Sequence, residues 1–154
     1  MTRILAHIKK AQGDLAGATT VLCELQVETF GSMDRREKTD FILEQVDLCI
    51  QKGDYTPAVI FSRKISTKYI TNPDVTDLKL RYYDQQIQLA KQEDKYLDAC
   101  KHYRQVYDTP SVIEDPVKLK SVIYPKALMI LRIGLTGHLG SGAYCLLYPV
   151  VSLR

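Results

Sequence analysis

A pattern of about forty residues recurs along the chain, and it limits the possible fold more than any other feature. The three copies read QGDLAGATTVL, KGDYTPAVIFS and EDKYLDACKHY, and they begin at residues 12, 52 and 93. In each copy a bulky apolar residue precedes a small alanine by three positions, at Leu15 and Ala18, Tyr55 and Ala58, and Tyr96 and Ala99. A period of this length with two helices per copy is typical of an α-solenoid, in which each repeat buries its apolar faces against its neighbours.

The start of each copy combines the residues that end one helix and begin the next. Gly13, Gly53 and Asp94 occupy the position where a residue that tolerates the left-handed conformation closes a helix. Asp14 and Asp54 follow the two glycines, so we expect their carboxylates to cap the next helix. The small alanine lets a neighbouring helix approach closely. We therefore predict that the repeats pack through Leu15, Ala18, Tyr55, Ala58, Tyr96 and Ala99.

Between these turns the apolar residues recur at steps of three and four, the period of an amphipathic helix. The clearest stripe consists of Tyr96, Ala99, Cys100, Tyr103, Val106 and Tyr107. No convincing strand alternation precedes residue 120. We predict an all-α chain, a right-handed α-solenoid of three antiparallel helix pairs with TPR-like repeats and an irregular C-terminal tail. The pairs span residues 1–31, 32–71 and 72–110, linked by FGSMD, ITNPDV and DTPSVIEDP.

Charge and cysteine usage exclude several classes of function. The net charge of +3 equals the charge of Lys126, Arg132 and Arg154, so residues 1–125 are neutral overall. A nucleic-acid partner is not expected, because its surface would need clustered basic residues. The cysteines at positions 23, 49, 100 and 145 form no CxxC pair, which favours free thiols in a reducing intracellular compartment over disulfides or zinc. The start, MTRILAHIKKAQ, lacks the apolar run of a signal peptide.

No residue pattern indicates catalysis, so we predict no enzyme, no metal, no cofactor and no small-molecule substrate. The histidines at positions 7, 102 and 138 stand apart from one another, without metal-ligand spacing. The acids of MDRREKTD alternate with bases, as on a solvated helix face. The stretch GLTGHLGSG lacks the lysine of a phosphate-binding loop and indicates a flexible linker.

Two adjacent tyrosines, Tyr82 and Tyr83, are candidates for a protein interface. Neighbouring residues on one helix point in different directions, so one ring should pack inside the fold and the other should be more exposed. Aromatic side chains often anchor protein interfaces. Packing within the repeat is the alternative explanation for both tyrosines.

Three longer strings resemble a known family: LQVETFGSMDRREKTDFILEQVDLC, LKLRYYDQQIQL and YLDACKHYRQVYDTP. Over residues 2–123 they are similar to the PCI family. Within that family they resemble the non-ATPase subunits of the proteasome regulatory-particle lid that are usually numbered fifth. The resemblance implies a PCI-type helical-repeat scaffold for ubiquitin-dependent degradation, in the cytoplasm and nucleus. Its partners would be other lid and regulatory-particle subunits. Alternatives are a related COP9 signalosome subunit, a free helical-repeat adaptor for proteins, or a small enzyme.

The resemblance ends near Ile123, so we predict a helical-repeat arm over residues 1–123 and a divergent, apolar, Gly-rich tail over residues 124–154. Family members have further repeats before this region and a winged-helix PCI domain after it, which suggests that the chain is a fragment. The tail holds four of the eight glycines and has no charged residue between Ile133 and Leu153. We expect the tail to be poorly ordered or to form a packed helix. A membrane span is the weaker alternative, because the segment contains four glycines, His138 and Pro149. An altered reading frame or a retained intron would explain the change at residue 124.

Overall fold

The regular structure of the chain is helical. The computed structural model describes residues 2–25, 31, 33–123 and 125, and within these residues no strand occurs. The helices are α1 (Thr2–Ala11), α2 (Leu15–Cys23), α3 (Arg35–Lys52), α4 (Tyr55–Ser62), α5 (Thr67–Ile70), α6 (Thr76–Gln92), α7 (Tyr96–Tyr107) and α8 (Pro110–Ile113). A 3-10 turn at Pro73–Val75 precedes α6, and residues 116–123 are also helical. The prediction of an all-α fold is confirmed for this part of the chain.

The chain divides into two compact units, Met1–Leu78 and Lys79–Arg154. In the first unit α1 contacts α2, α2 contacts α3, and α3 contacts α4, so the first two predicted pairs pack side by side. The stacking of all three pairs into one solenoid stays a prediction. The same holds for the boundary between an arm of residues 1–123 and a tail, since the tail lies outside the described residues except at residue 125.

The three predicted turn residues adopt the left-handed conformation. The φ angles are +82° at Gly13, +87° at Gly53 and +55° at Asp94. Each residue ends the first helix of a pair and turns the chain into the second within two or three residues. The sequence prediction for these positions is confirmed, and Asp94 shows that an aspartate can replace glycine there.

The two predicted N-cap aspartates behave differently. Asp14 caps α2, because its Oδ1 accepts a hydrogen bond of 2.8 Å from the backbone N–H of Gly17. Asp54 holds the same position before α4 but makes no such bond. Its carboxylate lies 2.6 Å from the ammonium group of Lys52 instead. The prediction for Asp54 as a capping side chain was therefore wrong, because the nearby lysine competes for the same oxygens.

Two short helices, α5 and α8, were not predicted from the sequence. The second pair includes α5 after α4, and the side chain of Ile70 at its end is fully buried. The linker DTPSVIEDP folds into α8, where Pro110 occupies the first turn and Val112 is buried. Proline is tolerated in a first helical turn because the N–H that it lacks has no partner there. Burial of one apolar side chain, Ile70 in α5 and Val112 in α8, stabilises each of these short helices.

The core of the first unit forms between α1, α2 and α3. Ala6, Leu22, Phe41 and Leu48 are buried together, and Leu15, Leu25 and Met33 pack against them at the edge. Burial of such side chains contributes roughly 1.5–3 kcal/mol each relative to exposure. The apolar stripes of three helices therefore supply most of the stability of this unit.

A buried glutamine connects α2 to α3 inside this core. The side chain of Gln45 is only 2% exposed, and its Nε2 donates to the carbonyl oxygens of Leu22 at 2.7 Å and Leu25 at 3.0 Å. The last carbonyls of a helix have no partner within the helix, so a buried helix end needs an external donor. Gln45 supplies that donor for the end of α2.

The core of the second unit is built from α6, α7, α8 and the helix that follows. Its buried members are Ile87, Ala90, Ala99, Cys100, Tyr103, Val112 and Val122. Leu80, Tyr96, Val106 and Tyr107 pack against them while remaining partly exposed. All six residues of the stripe that the sequence indicates on α7 thus belong to this core.

The close approach of α2 to its neighbours predicts that Ala18 cannot be enlarged. Ala18 is fully buried, so the substitution Ala18→Leu should lower the free energy of unfolding by about 1–3 kcal/mol through overpacking. Urea unfolding followed by circular dichroism measures the effect. Ala16→Leu, two residues away on the exposed side of the same helix, is the matched control and should change stability by less than about 0.5 kcal/mol. Equal effects at both positions would contradict the packing argument.

The hydrogen bonds of Gln45 predict a second effect on stability. Gln45→Leu should lower the free energy of unfolding by about 1–3 kcal/mol, because two largely buried carbonyls lose their donor. Gln51→Leu is the control, since Gln51 is exposed on the same helix and donates to the exposed side chain of Asp47 at 2.7 Å. If Gln45→Leu proves neutral or stabilising, the carbonyls do not depend on this side chain.

Candidate protein interface

The two adjacent tyrosines of α6 lie in different environments. Tyr82 is 8% exposed, whereas Tyr83 is only partly buried. Their ring centroids lie 5.3 Å apart in an edge-to-face arrangement, a favoured geometry for aromatic pairs. Burial raises the pKa of both hydroxyls above the ordinary value of tyrosine. Both tyrosines therefore remain neutral at physiological pH, and only Tyr83 contributes substantially to the surface.

His102 of α7 packs on Tyr83 and extends this surface. The ring centroids of Tyr83 and His102 lie 5.8 Å apart at an interplanar angle of 37°. Burial lowers the pKa of His102, while the charge of Asp98 acts in the opposite direction. The imidazole is therefore mainly neutral near pH 7. One helical turn from Tyr83, the Nε2 atom of Gln86 is buried and has no hydrogen-bond partner among the described residues. We call Tyr83, Gln86 and His102 the Tyr83 face.

The predicted repeat-packing residues divide into two groups by burial. The three alanines, Ala18, Ala58 and Ala99, are fully buried. The three bulky residues, Leu15, Tyr55 and Tyr96, are partly buried. Leu15 packs against the core of the first unit and Tyr96 against that of the second, where its hydroxyl donates to Asp94. Their role in packing one repeat against the next stays a prediction, as does an interface at Tyr82 and Tyr83.

A row of ion pairs between α1 and α3 was not predicted from the sequence. The guanidinium of Arg3 contacts the carboxylates of Asp40 and Glu44, the latter at 2.7 Å. His7, one turn further along α1, places its Nε2 2.9 Å from Glu44. The hydrogen bond to Asp40 is the main cause that raises the pKa of Arg3. Bases at positions 3, 7 and 10 and acids at 40, 44 and 47 have matching helical spacing, which is the signal that could have revealed the pairing.

These polar groups form contacts between α1 and α3. In the part of the chain that the structure describes, no group of three or more histidine, cysteine or acidic side chains could hold a metal ion. Among the same residues no helix combines the length and the apolar character needed to cross a membrane. His138 and the glycine-rich stretch GLTGHLGSG lie outside the described residues.

Comparison with known proteins identifies the family. The family described as PSMD12/CSN4, N-terminal matches residues 1–115. The 26S proteasome regulatory subunit rpn501 of Schizosaccharomyces pombe is 46% identical over 123 residues, which are 80% of this chain and 28% of that protein. The subunit RPN5 of Saccharomyces cerevisiae is 42% identical over the same shares of both chains. The 26S proteasome non-ATPase regulatory subunit 12 of Dictyostelium discoideum is 35% identical over 77% of this chain and 27% of its own.

The match thus extends over most of this chain, while the chain spans little more than a quarter of the length of these relatives. The helical fold and the resemblance of the three quoted strings agree with this result. The chain belongs to the PSMD12/CSN4 N-terminal family of helical proteins.

Proposed function

We propose that this chain is a non-catalytic scaffold segment of the proteasome regulatory-particle lid, supporting its assembly and thereby ubiquitin-dependent protein degradation. The observation that carries the proposal is the 46% identity over 123 residues with a 26S proteasome regulatory subunit. Its partners are other lid and regulatory-particle subunits, and it works in the cytoplasm and nucleus. It needs no cofactor for this role, because a scaffold acts through its surfaces alone.

The use of polar side chains supports a scaffold rather than an enzyme. In the first unit Arg3 and His7 pair with acids of α3, and Gln45 binds backbone carbonyls of the segment around the end of α2. These contacts fix the positions of helices relative to one another. A catalytic site needs polar groups that converge on a substrate. A scaffold needs rigid helices that present side chains to other proteins.

The Tyr83 face is the surface that we propose for a protein partner. It combines the packed rings of Tyr83 and His102 with the side chain of Gln86, which lies one helical turn from Tyr83 and is partly exposed. The buried ring of Tyr82 packs edge-to-face against the ring of Tyr83. Rigid aromatic side chains with a polar atom nearby are enriched at the energetically important positions of interfaces.

Affinity purification from the cells of origin tests the scaffold proposal. The tagged chain should co-purify with proteasome lid subunits, identified by mass spectrometry, at a stable ratio after washing. Ala18→Asp is the negative control, because a charge at this fully buried position should unfold the first helix pair. Recovery of COP9 signalosome subunits would favour that related complex instead. Recovery of chaperones alone, or of an unrelated set of proteins, would contradict the proposal.

Truncation of Tyr83 tests the proposed interface. Tyr83→Ala should reduce recovery of the bound subunits by about tenfold, the effect expected for one moderately important aromatic side chain. Tyr83→Phe should keep most of the binding, because it retains the ring that stacks on His102. The thermal midpoint of each variant shows whether the fold is intact. Unchanged recovery with folded Tyr83→Ala would place the interface elsewhere on the chain.

A further inference from the structure

Two thiols from different helices lie next to each other in the first unit. The Sγ atoms of Cys23, at the end of α2, and Cys49, on α3, are 3.7 Å apart, although the residues are 26 positions apart in sequence. Both cysteines are in the free thiol state. An S–S bond measures about 2.05 Å, so the two sulfurs need to approach by less than about 2 Å to form one.

The surroundings of the pair distinguish the two sulfurs. Cys49 is fully buried, whereas Cys23 is partly exposed and can meet a small solute. The hydrogen bond between the thiols lowers the pKa of Cys23, and the ammonium groups of Lys52 and Lys64 add to this effect. The same hydrogen bond, together with burial, raises the pKa of Cys49. Cys23 is therefore the thiol that ionises first and that a peroxide can reach from solvent.

We propose that Cys23 and Cys49 form an oxidisable dithiol, which a hydroperoxide converts to a disulfide between α2 and α3. The proposal rests on the sulfur–sulfur distance, on the different exposure of the two thiols and on their location on separate helices. It does not depend on the proposed scaffold function, since it concerns the chemistry of the folded chain alone.

The reaction takes place in two balanced steps. The Cys23 thiolate attacks one peroxide oxygen, the O–O bond breaks, and the released hydroxide takes a proton to become water. Cys23 is now a sulfenic acid. The Cys49 sulfur attacks the Cys23 sulfur, the S–O bond breaks, and the hydroxyl leaves as water with the proton of Cys49. Two thiols are oxidised by two electrons, and one hydrogen peroxide is reduced to two water molecules.

Peptide mapping of the whole chain tests the proposal without any substitution. The reduced chain is treated with hydrogen peroxide, quenched with N-ethylmaleimide and digested with trypsin under non-reducing conditions. Cys23 lies in the peptide of residues 11–35, Cys49 in that of residues 39–52 and Cys100 in that of residues 96–101. The linked pair 11–35 and 39–52 should exceed any other cysteine pair by at least about tenfold, because neighbouring thiols have a high effective concentration. Dithiothreitol should abolish it.

A third cysteine, the buried Cys100, makes the outcome decisive. Cys100 is buried in the core of the second unit. It therefore shows how readily a cysteine outside the Cys23–Cys49 pair is oxidised. If linked peptides that contain Cys100 form as readily, or if Cys23 proceeds to sulfinic acid without a link to Cys49, the proposal is wrong. It is also wrong if both thiols of the pair remain reduced at a peroxide dose that oxidises Cys100.

Two variants test the order of the steps. In Cys49→Ser the sulfenic acid on Cys23 should persist and be trapped by a 1,3-diketone probe, because the second thiol is missing. In Cys23→Ser the probe should label Cys49 at least about tenfold less, because Cys49 is fully buried and its sulfur is not exposed to peroxide. Circular dichroism verifies that both variants are folded. Equal labelling of the two would contradict the assignment of Cys23 as the attacking thiol.

Discussion

The donation of hydrogen bonds by Gln45 to the chain around the end of α2 is the polar interaction that fixes the contact between α2 and α3 in the first unit. A buried helix end leaves carbonyl groups without partners, and each such group destabilises the fold unless a donor reaches it. Gln45 reaches the carbonyls of Leu22 and Leu25 from the middle of α3, a helix of 18 residues. The same helix pairs with Arg3 of α1 and packs against α4. A single helix thus holds contacts with three others, and the single amide fixes the position of α2 against it.

Local signals in the sequence predicted the turns of this fold well. Gly13, Gly53 and Asp94 adopt positive φ because the chain must reverse there. The tolerance of positive φ is a property of the residue type, so it can be recognised in the sequence. Asp54 shows the limit of the same reasoning. Its carboxylate forms an ion pair with Lys52 instead of accepting a hydrogen bond from a backbone N–H group of α4. Spacing along a chain does not determine which of two nearby partners wins. The choice depends on side-chain geometry that only the folded chain defines.

Contacts between distant residues could not be predicted from periodicity. Gln45 is a polar residue on the buried side of α3, but its partners are backbone carbonyls, which leave no trace in the sequence. The arrangement of the candidate interface could also be predicted only in part. Adjacent tyrosines had to face different directions, and Tyr82 is indeed the more buried of the two. The stacking of His102 on Tyr83 depends on the register between α6 and α7, which depends in turn on how their side chains fill the core of the second unit.

The thiol pair and Gln45 belong to the same contact between α2 and α3. Cys49 follows Gln45 by one helical turn, and Cys23 follows Leu22 directly, so both interactions connect the same short stretches of chain. A disulfide there would therefore lock an arrangement that hydrogen bonds and apolar packing already hold. Its main effect would be on the unfolded chain, whose freedom it restricts, rather than on the positions of the helices. Oxidation at this contact is thus compatible with the rigid, non-catalytic role that we propose for the arm.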